Sequence, residues 1–242
     1  MTTISSRLHL VDERIQAACL ATGRPASSVR LLAVSKTFGL DAVIEALAAG
    51  QGAFGENYIA EGVEKILALR RWQAGEAAPG AKATAALEWH CIGPIQSNKT
   101  RPVAEHFDWV QSVDRLKIAQ RLSEQRPPEL PPLQVCLQVN IDGGANKSGV
   151  APADAQALAE EISRLPRLAL RGLMAIPEPA PDFVAACAVH ACAKALFVQI
   201  NASGVLAAPM DTLSLGMTAD LEAAIHAGST MVRVGTAIFG GR

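Results

Sequence analysis

Two periodicities alternate along the chain. Short apolar, β-branched runs at residues 30–34, 53–55, 89–93, 109–113, 134–141, 170–176, 212–216 and 231–239 read as eight strands. The helical segments between them carry their own punctuation. Asp41 opens 42–49 and Gly50 closes it, the N-cap and C-cap chemistry of a helix. Asp114 opens 115–125 and Pro127-Pro128 stop it; Pro152 opens 153–164 ahead of Pro166; Thr218 opens 219–227 ahead of Gly228. Before the first strand, Ile4, Leu8, Val11, Ile15 and Ala18 recur every three or four residues, which predicts an extra amphipathic helix.

Eight strands alternating with helices imply a parallel sheet, and eight is the number that closes one. The expected fold is α/β: a single (β/α)8 TIM-type barrel with an added N-terminal helix. An open doubly wound sheet is the alternative, but no GxGxxG follows the first strand to support it. Residues 73–87, rich in Ala, Gly and Pro, and 126–132, rich in Pro, read as surface loops. The strand–helix rhythm resumes after each, so 1–242 is expected to be one domain.

Composition narrows the partners. Half of the residues (50%) are hydrophobic and 19% are charged, which excludes global disorder. Lys and Arg number 22 against 23 Asp and Glu, so no broad field attracts nucleic acid or an anionic membrane, and the ligand to look for is small. Arg7, Asp12, Glu13 and Arg14 interrupt any signal-like core at the start. The apolar stretch 183–200 contains His190, Lys194 and Gln199 and reads as a buried or half-buried helix rather than a membrane span. Five cysteines without a CxxC pair fit free thiols in a reducing cytoplasm. Cys187, His190 and Cys192 raise a metal site, but helix positions five apart diverge, so these cysteines read as small core residues.

Candidate chemistry clusters at the strand ends. Barrel enzymes place their sites at the C-terminal ends of the strands and often hold a phosphate on the loops after strands seven and eight. After strand seven comes Leu215-Gly216-Met217-Thr218, leading into a helix start whose free N–H groups suit an anion. After strand eight come Gly235, which permits close backbone approach, and Thr236, a hydroxyl donor. Read singly, these are a tight turn, an N-cap and a packing glycine; their joint placement points to phosphate. Lys36 leaves the first strand at the barrel mouth, where partial desolvation favours the neutral amine that can attack an aldehyde. Arg233, two residues before Gly235, is placed either to face the ring nitrogen of a cofactor or to form an ion pair inside the barrel. An arginine there donates without losing its proton, which keeps such a nitrogen unprotonated and disfavours carbanion chemistry.

The segments AVSKT (33–37), FGENY (54–58), EWHCIGPIQSNK (88–99), NIDGGANKSG (140–149), LRGLMAIP (170–177), LSLGMTADLEAAI (213–225) and STMVRVGTAIFGGR (229–242) closely resemble the YggS/PROSC family of homeostasis proteins that bind pyridoxal 5'-phosphate (PLP). The resemblance implies a barrel like the N-terminal domain of alanine racemase, with PLP carried as a Schiff base on Lys36. It implies Asn57 near the cofactor, Ser214, Met217 and Thr218 beside the phosphate, Gly235 and Thr236 on its other side, and Arg233 at the ring nitrogen. It also implies a role in binding, buffering or delivering PLP to balance vitamin B6 and amino-acid pools, without established turnover. A cytoplasmic monomer with apo-PLP enzymes as candidate recipients is the expectation.

Strand eight ends a few residues before Arg242, leaving no chain for the second domain that completes a two-base racemase site, so no catalysis is expected. A racemase-like PLP enzyme and a barrel binding another phosphorylated metabolite are the alternatives. The other motif residues keep plain readings: Gly93-Pro94 a turn, Ser97 a helix cap, Asn98 and Lys99 exposed, Tyr58 packed on a helix, and Asn146 and Lys147 in a glycine-rich loop.

Overall fold

A computed structural model describes residues 3–75, 87–144 and 148–241. Eight parallel strands close into a barrel in sequence order: β1 (Arg30–Val34), β2 (Ala53–Glu56), β3 (Glu88–Cys91), β4 (Trp109–Val113), β5 (Leu133–Gln138), β6 (Leu168–Met174), β7 (Thr212–Ser214) and β8 (Met231–Val234). Around them lie α1 (Ile4–Ala21), α2 (Leu40–Ala48), α3 (Ile59–Gly75), α4 (Thr100–His106), α5 (Leu116–Gln125), α6 (Pro152–Ser163), α7 (Phe183–Ala202), α8 (Leu221–His226) and the single turn α9 (Thr236–Phe239). This is a TIM barrel with an extra N-terminal helix.

Strand alternation divides the interior into two layers. Ala33, Phe54, Val110, Leu137 and Leu173 point outward and form, with Ile66, Leu69, Phe107, Ile118 and Ile162 of the helices, the main apolar layer. Their neighbours point into the lumen: Leu32, Ala53 and Met231 form one small cluster there, and Trp109, Cys136 and Met174 another. The lumen also holds His90, Gln111, Ser214 and Arg233, all buried. Between β6 and β7 the backbones come so close that a Cβ on Gly172 would lie 1.5 Å from the Thr212 carbonyl, so only glycine fits.

The helix α1 buries Leu8, Val11, Ile15 and Ala18, as their spacing predicts, and packs against α2, α8 and α9. Several expected details are corrected. Gly39, not Asp41, is the N-cap of α2, and Asp41 sits in the first turn, where its charge meets the helix dipole instead. Arg115, not Asp114, occupies the N-cap position of α5 and makes no side-chain cap, while the Asp114 carboxylate accepts from the Arg115 guanidinium. Asp220, not Thr218, is the N-cap of α8. The eighth strand stops at Val234, and Thr236–Phe239 is helical. Ser97 makes no side-chain cap; its carbonyl accepts from Thr100 Oγ1.

The segment read as a surface loop at 73–87 begins inside α3, and 76–86 lie outside the described residues. The proline-rich stretch is not all surface either. Arg126 is buried and donates to the Ala104, Phe107 and Pro131 carbonyls, tying the loop to the end of α4. By length and composition alone α7 is apolar enough to cross a membrane, a test that core helices also meet. It lies along the barrel with His190, Ala193, Leu196, Phe197 and Ile200 buried. Cys19, Cys91 and Cys136 are buried core thiols, whereas Cys187 is half-buried and Cys192 is exposed, not core.

Candidate functional site at the barrel mouth

The turn that follows β1 is held from below. Ser35 is buried, and its hydroxyl donates to Glu56 Oε1 at 2.6 Å. Lys65 of α3 donates to Glu56 Oε1 at 2.7 Å, to the Ser35 carbonyl at 3.0 Å and to Glu61 Oε1 at 3.1 Å. Glu61 also accepts the N–H of Thr37, a non-glycine residue in the left-handed region at φ 67°. Burial raises the Glu56 carboxyl above its usual range despite the opposing pull of Lys65 and Ser35. Both neighbours of Lys36 are thus fixed, while the half-buried Lys36 amine meets no acceptor or anion among the described residues.

Arg233 forms the floor. It is only 4% exposed. One terminal nitrogen donates to Ser214 O and Oγ, both at 2.7 Å, and the other to Ala175 O at 2.9 Å. Five N–H groups less these three bonds leave two donors uncommitted. No carboxylate lies within ion-pair distance among the described residues, so the structural ion pair weighed for Arg233 is not there. Burial pulls its pKa down to about 10, with Asp220 and Cys136 opposing, and it remains a cation at neutral pH. An unpaired buried charge is costly, and a site that keeps one is built to meet an acceptor.

The third wall is the loop between β7 and α8. Gly216 turns it in the left-handed region at φ 88°, and a Cβ there would sit 2.5 Å from Ala224 Cβ. Asp220 takes the Met217 N–H at 2.7 Å with one oxygen and lies 2.9 Å from His190 Nε2 with the other. Burial works to raise Asp220, but His190 and the Met217 N–H outweigh it and hold the carboxyl below its usual range. Arg14 of α1 donates to the Thr218 carbonyl at 2.9 Å and pairs with Glu222. The Met217 N–H is therefore not free for an anion. Among the described residues the N–H groups of Thr218, Ala219, Thr236 and Ala237 have no backbone acceptor.

These walls enclose a cavity of about 430 Å³ lined by Lys36, Asn57, Met217, Thr218, Arg233, Gly235 and Thr236, together with Val34, Phe38, Ile92 and Ile176. Seven of the eight residues expected at the site are brought together. Ser214 is not a wall: it is fully buried one layer lower, under Arg233, where its hydroxyl donates to Gln111. Ile92 and Ile176 were missed, and the readable signal was their position just past the ends of β3 and β6. Glu56, Lys65 and Gln111 were missed as well; Glu56 lies inside the FGENY motif, but nothing local marks the other two. Tyr58 is exposed at the lip of a second cavity rather than packed on a helix, and Asn146 and Lys147 lie outside the described residues.

Residues 13–242 match the model of the alanine racemase N-terminal domain family. A pyridoxal phosphate homeostasis protein of Pseudomonas aeruginosa is 54% identical over 242 residues, covering 100% of this chain and 97% of that protein. This chain belongs to the pyridoxal phosphate homeostasis family. Among solved structures, PipY of Synechococcus elongatus PCC7942, determined with PLP bound, superposes with a TM-score of 0.79 at 34% identity, covering 98% of this chain and 100% of that one. Alanine racemase of Clostridium difficile 630 shares the fold at a TM-score of 0.69 and 14% identity, and this chain spans 57% of its length. The features that fit a small phosphorylated aldehyde in this family member are the unpaired guanidinium, the free amine and the two pairs of open N–H groups across the cavity.

Proposed function

We propose that this protein binds PLP, linked covalently to Lys36 Nζ, and holds it for storage and delivery rather than for turnover. The observation that carries the reading is Arg233: a buried cation without a counter-ion, with two donors uncommitted, in the wall of the cavity that Lys36 also enters. When bound, the group supplies an electrophilic aldehyde carbon and a pyridine ring. Lys36 supplies the amine. The open N–H groups of Thr218, Ala219, Thr236 and Ala237, with the Thr218 and Thr236 hydroxyls, receive the phosphate. Asn57 lines the cavity beside Lys36. Arg233 donates to the ring nitrogen and, keeping its own proton, leaves that nitrogen unprotonated, so the ring is a poor electron sink. The names of the relatives support a homeostatic role, the free cysteines support a reducing cytoplasm, and we take the protein to act as a monomer with apo-enzymes as recipients.

Borohydride reduction followed by peptide mass analysis tests the attachment: the adduct is expected on Lys36, and an adduct on any other lysine overturns the site. Delivery is tested by mixing loaded protein with an apo-PLP enzyme. Activation faster than release into buffer supports transfer, and equal rates leave storage alone. Repeated PLP-dependent conversion of a D- or L-amino acid would overturn the non-catalytic reading.

A further inference from the structure

A line of polar side chains runs down the barrel lumen from the cavity floor to the opposite end. Arg233 on β8 donates to Ser214 Oγ on β7 at 2.7 Å, and Ser214 Oγ donates to Gln111 Oε1 on β4 at 2.7 Å. Gln111 Nε2 lies 3.0 Å from His90 Nδ1 on β3. His90 Nε2 lies 3.5 Å from Glu88, which pairs with Arg30 at 2.7 Å. Arg233, Ser214, Gln111 and His90 are all buried.

The bond between Gln111 and Ser214 spans the lumen between strands that are not neighbours, since β5 and β6 lie between β4 and β7 in the closed order. Barrel interiors are commonly filled with branched aliphatic side chains. An amide and a hydroxyl placed there carry a desolvation cost that each must recover through its bonds. Their order is also directional. The Ser214 hydroxyl has one proton, and giving it to Gln111 Oε1 turns its lone pairs toward Arg233. The Gln111 amide, accepting from Ser214 through its oxygen, must then donate to His90 Nδ1 and Met231 Sδ through its nitrogen.

We propose that Gln111 is a positioning residue for Arg233. Acting through the Ser214 hydroxyl, it orients the guanidinium so that the two uncommitted donors address the ring nitrogen of the ligand. The inference rests on the PLP reading above. Without Gln111 the Ser214 hydroxyl has no acceptor across the lumen; it turns, and Arg233 loses one of its three fixed bonds.

The test compares loaded parent, Gln111→Leu, Ser214→Ala and Gln111→Glu proteins, each checked first for PLP content after alkaline release and for apo-protein melting temperature. Gln111→Leu and Ser214→Ala are expected to load fully but to release PLP about tenfold faster, the loss of one hydrogen bond to a charged donor, and to shift the pH titration of the visible band. Gln111→Glu, whose carboxyl oxygen keeps the acceptor that the Ser214 hydroxyl addresses, is expected to restore both. Ser214→Ala removes a single oxygen and decides the matter if Gln111→Leu fails to fold. Release and titration matching the parent in every folded variant would overturn the proposal while leaving the PLP reading intact. A parent that takes up no PLP would overturn both.

Discussion

Lys65 lies 2.7 Å from Glu56 and 3.0 Å from the Ser35 carbonyl, whereas Lys36, the residue after Ser35, has no partner among the described residues. The first amine is committed to three acceptors; the second is the one left to react. Lys36→Ala is therefore expected to abolish both the visible band and the borohydride adduct while the apo-protein melts as the parent does, as calorimetry can check. Lys65→Met should do the reverse damage. It leaves the Glu56 carboxylate buried without its cation, which costs about 3–5 kcal/mol, read as a lower urea midpoint at unchanged slope. Sequence alone exposed Lys36 because an isolated lysine at the end of an apolar run is conspicuous. Lys65 looks like any helical surface lysine, and only the fold brings Ser35 and Glu56 to it.

At the scale of elements, the loop between β7 and α8 is clamped from two sides, by Asp220 with His190 on α7 and by Arg14 on α1. The added N-terminal helix thus braces the proposed phosphate end of the cavity. Asp220→Ala is expected to weaken PLP binding about tenfold through loss of that brace but to leave binding of pyridoxal, which lacks the phosphate, nearly unchanged; equilibrium titration with the two aldehydes separates the effects. The strands and α1 were legible because period-two and period-3.6 patterns are local properties of the chain. Caps were less so. Asp41, Asp114 and Thr218 all have the chemistry of an N-cap, but Asp114 is taken by Arg115, and the N-cap positions of α2 and α8 fall on Gly39 and Asp220. Ser214 was placed at the wall because its motif surrounds it with wall residues, but the pleat turns it down onto Gln111.

For the molecule as a whole, acid acts at the end of the barrel away from the cavity. Burial lowers His90 to about 4, so between about pH 6.5 and 4 the unfolded chain binds a proton that the folded chain refuses. Burial also works to raise Glu88, but His90 and Arg30 outweigh it and hold it at about 2. Its contribution is present above its ordinary range and fades as pH falls toward 2. Stability should therefore decline from neutrality downward, by about 3 kcal/mol from His90 alone by pH 4. Urea unfolding across that range checks this, and a His90→Gln protein should lose the slope between pH 6.5 and 4. The closed sheet has a last consequence. Every strand of the barrel is paired on both sides, so the described residues present no open barrel edge on which another chain could extend its own sheet. Under the proposed delivery role, a recipient enzyme reads side chains of the outer helices and rim loops rather than a strand edge, so its choice of donor is tunable without touching the barrel.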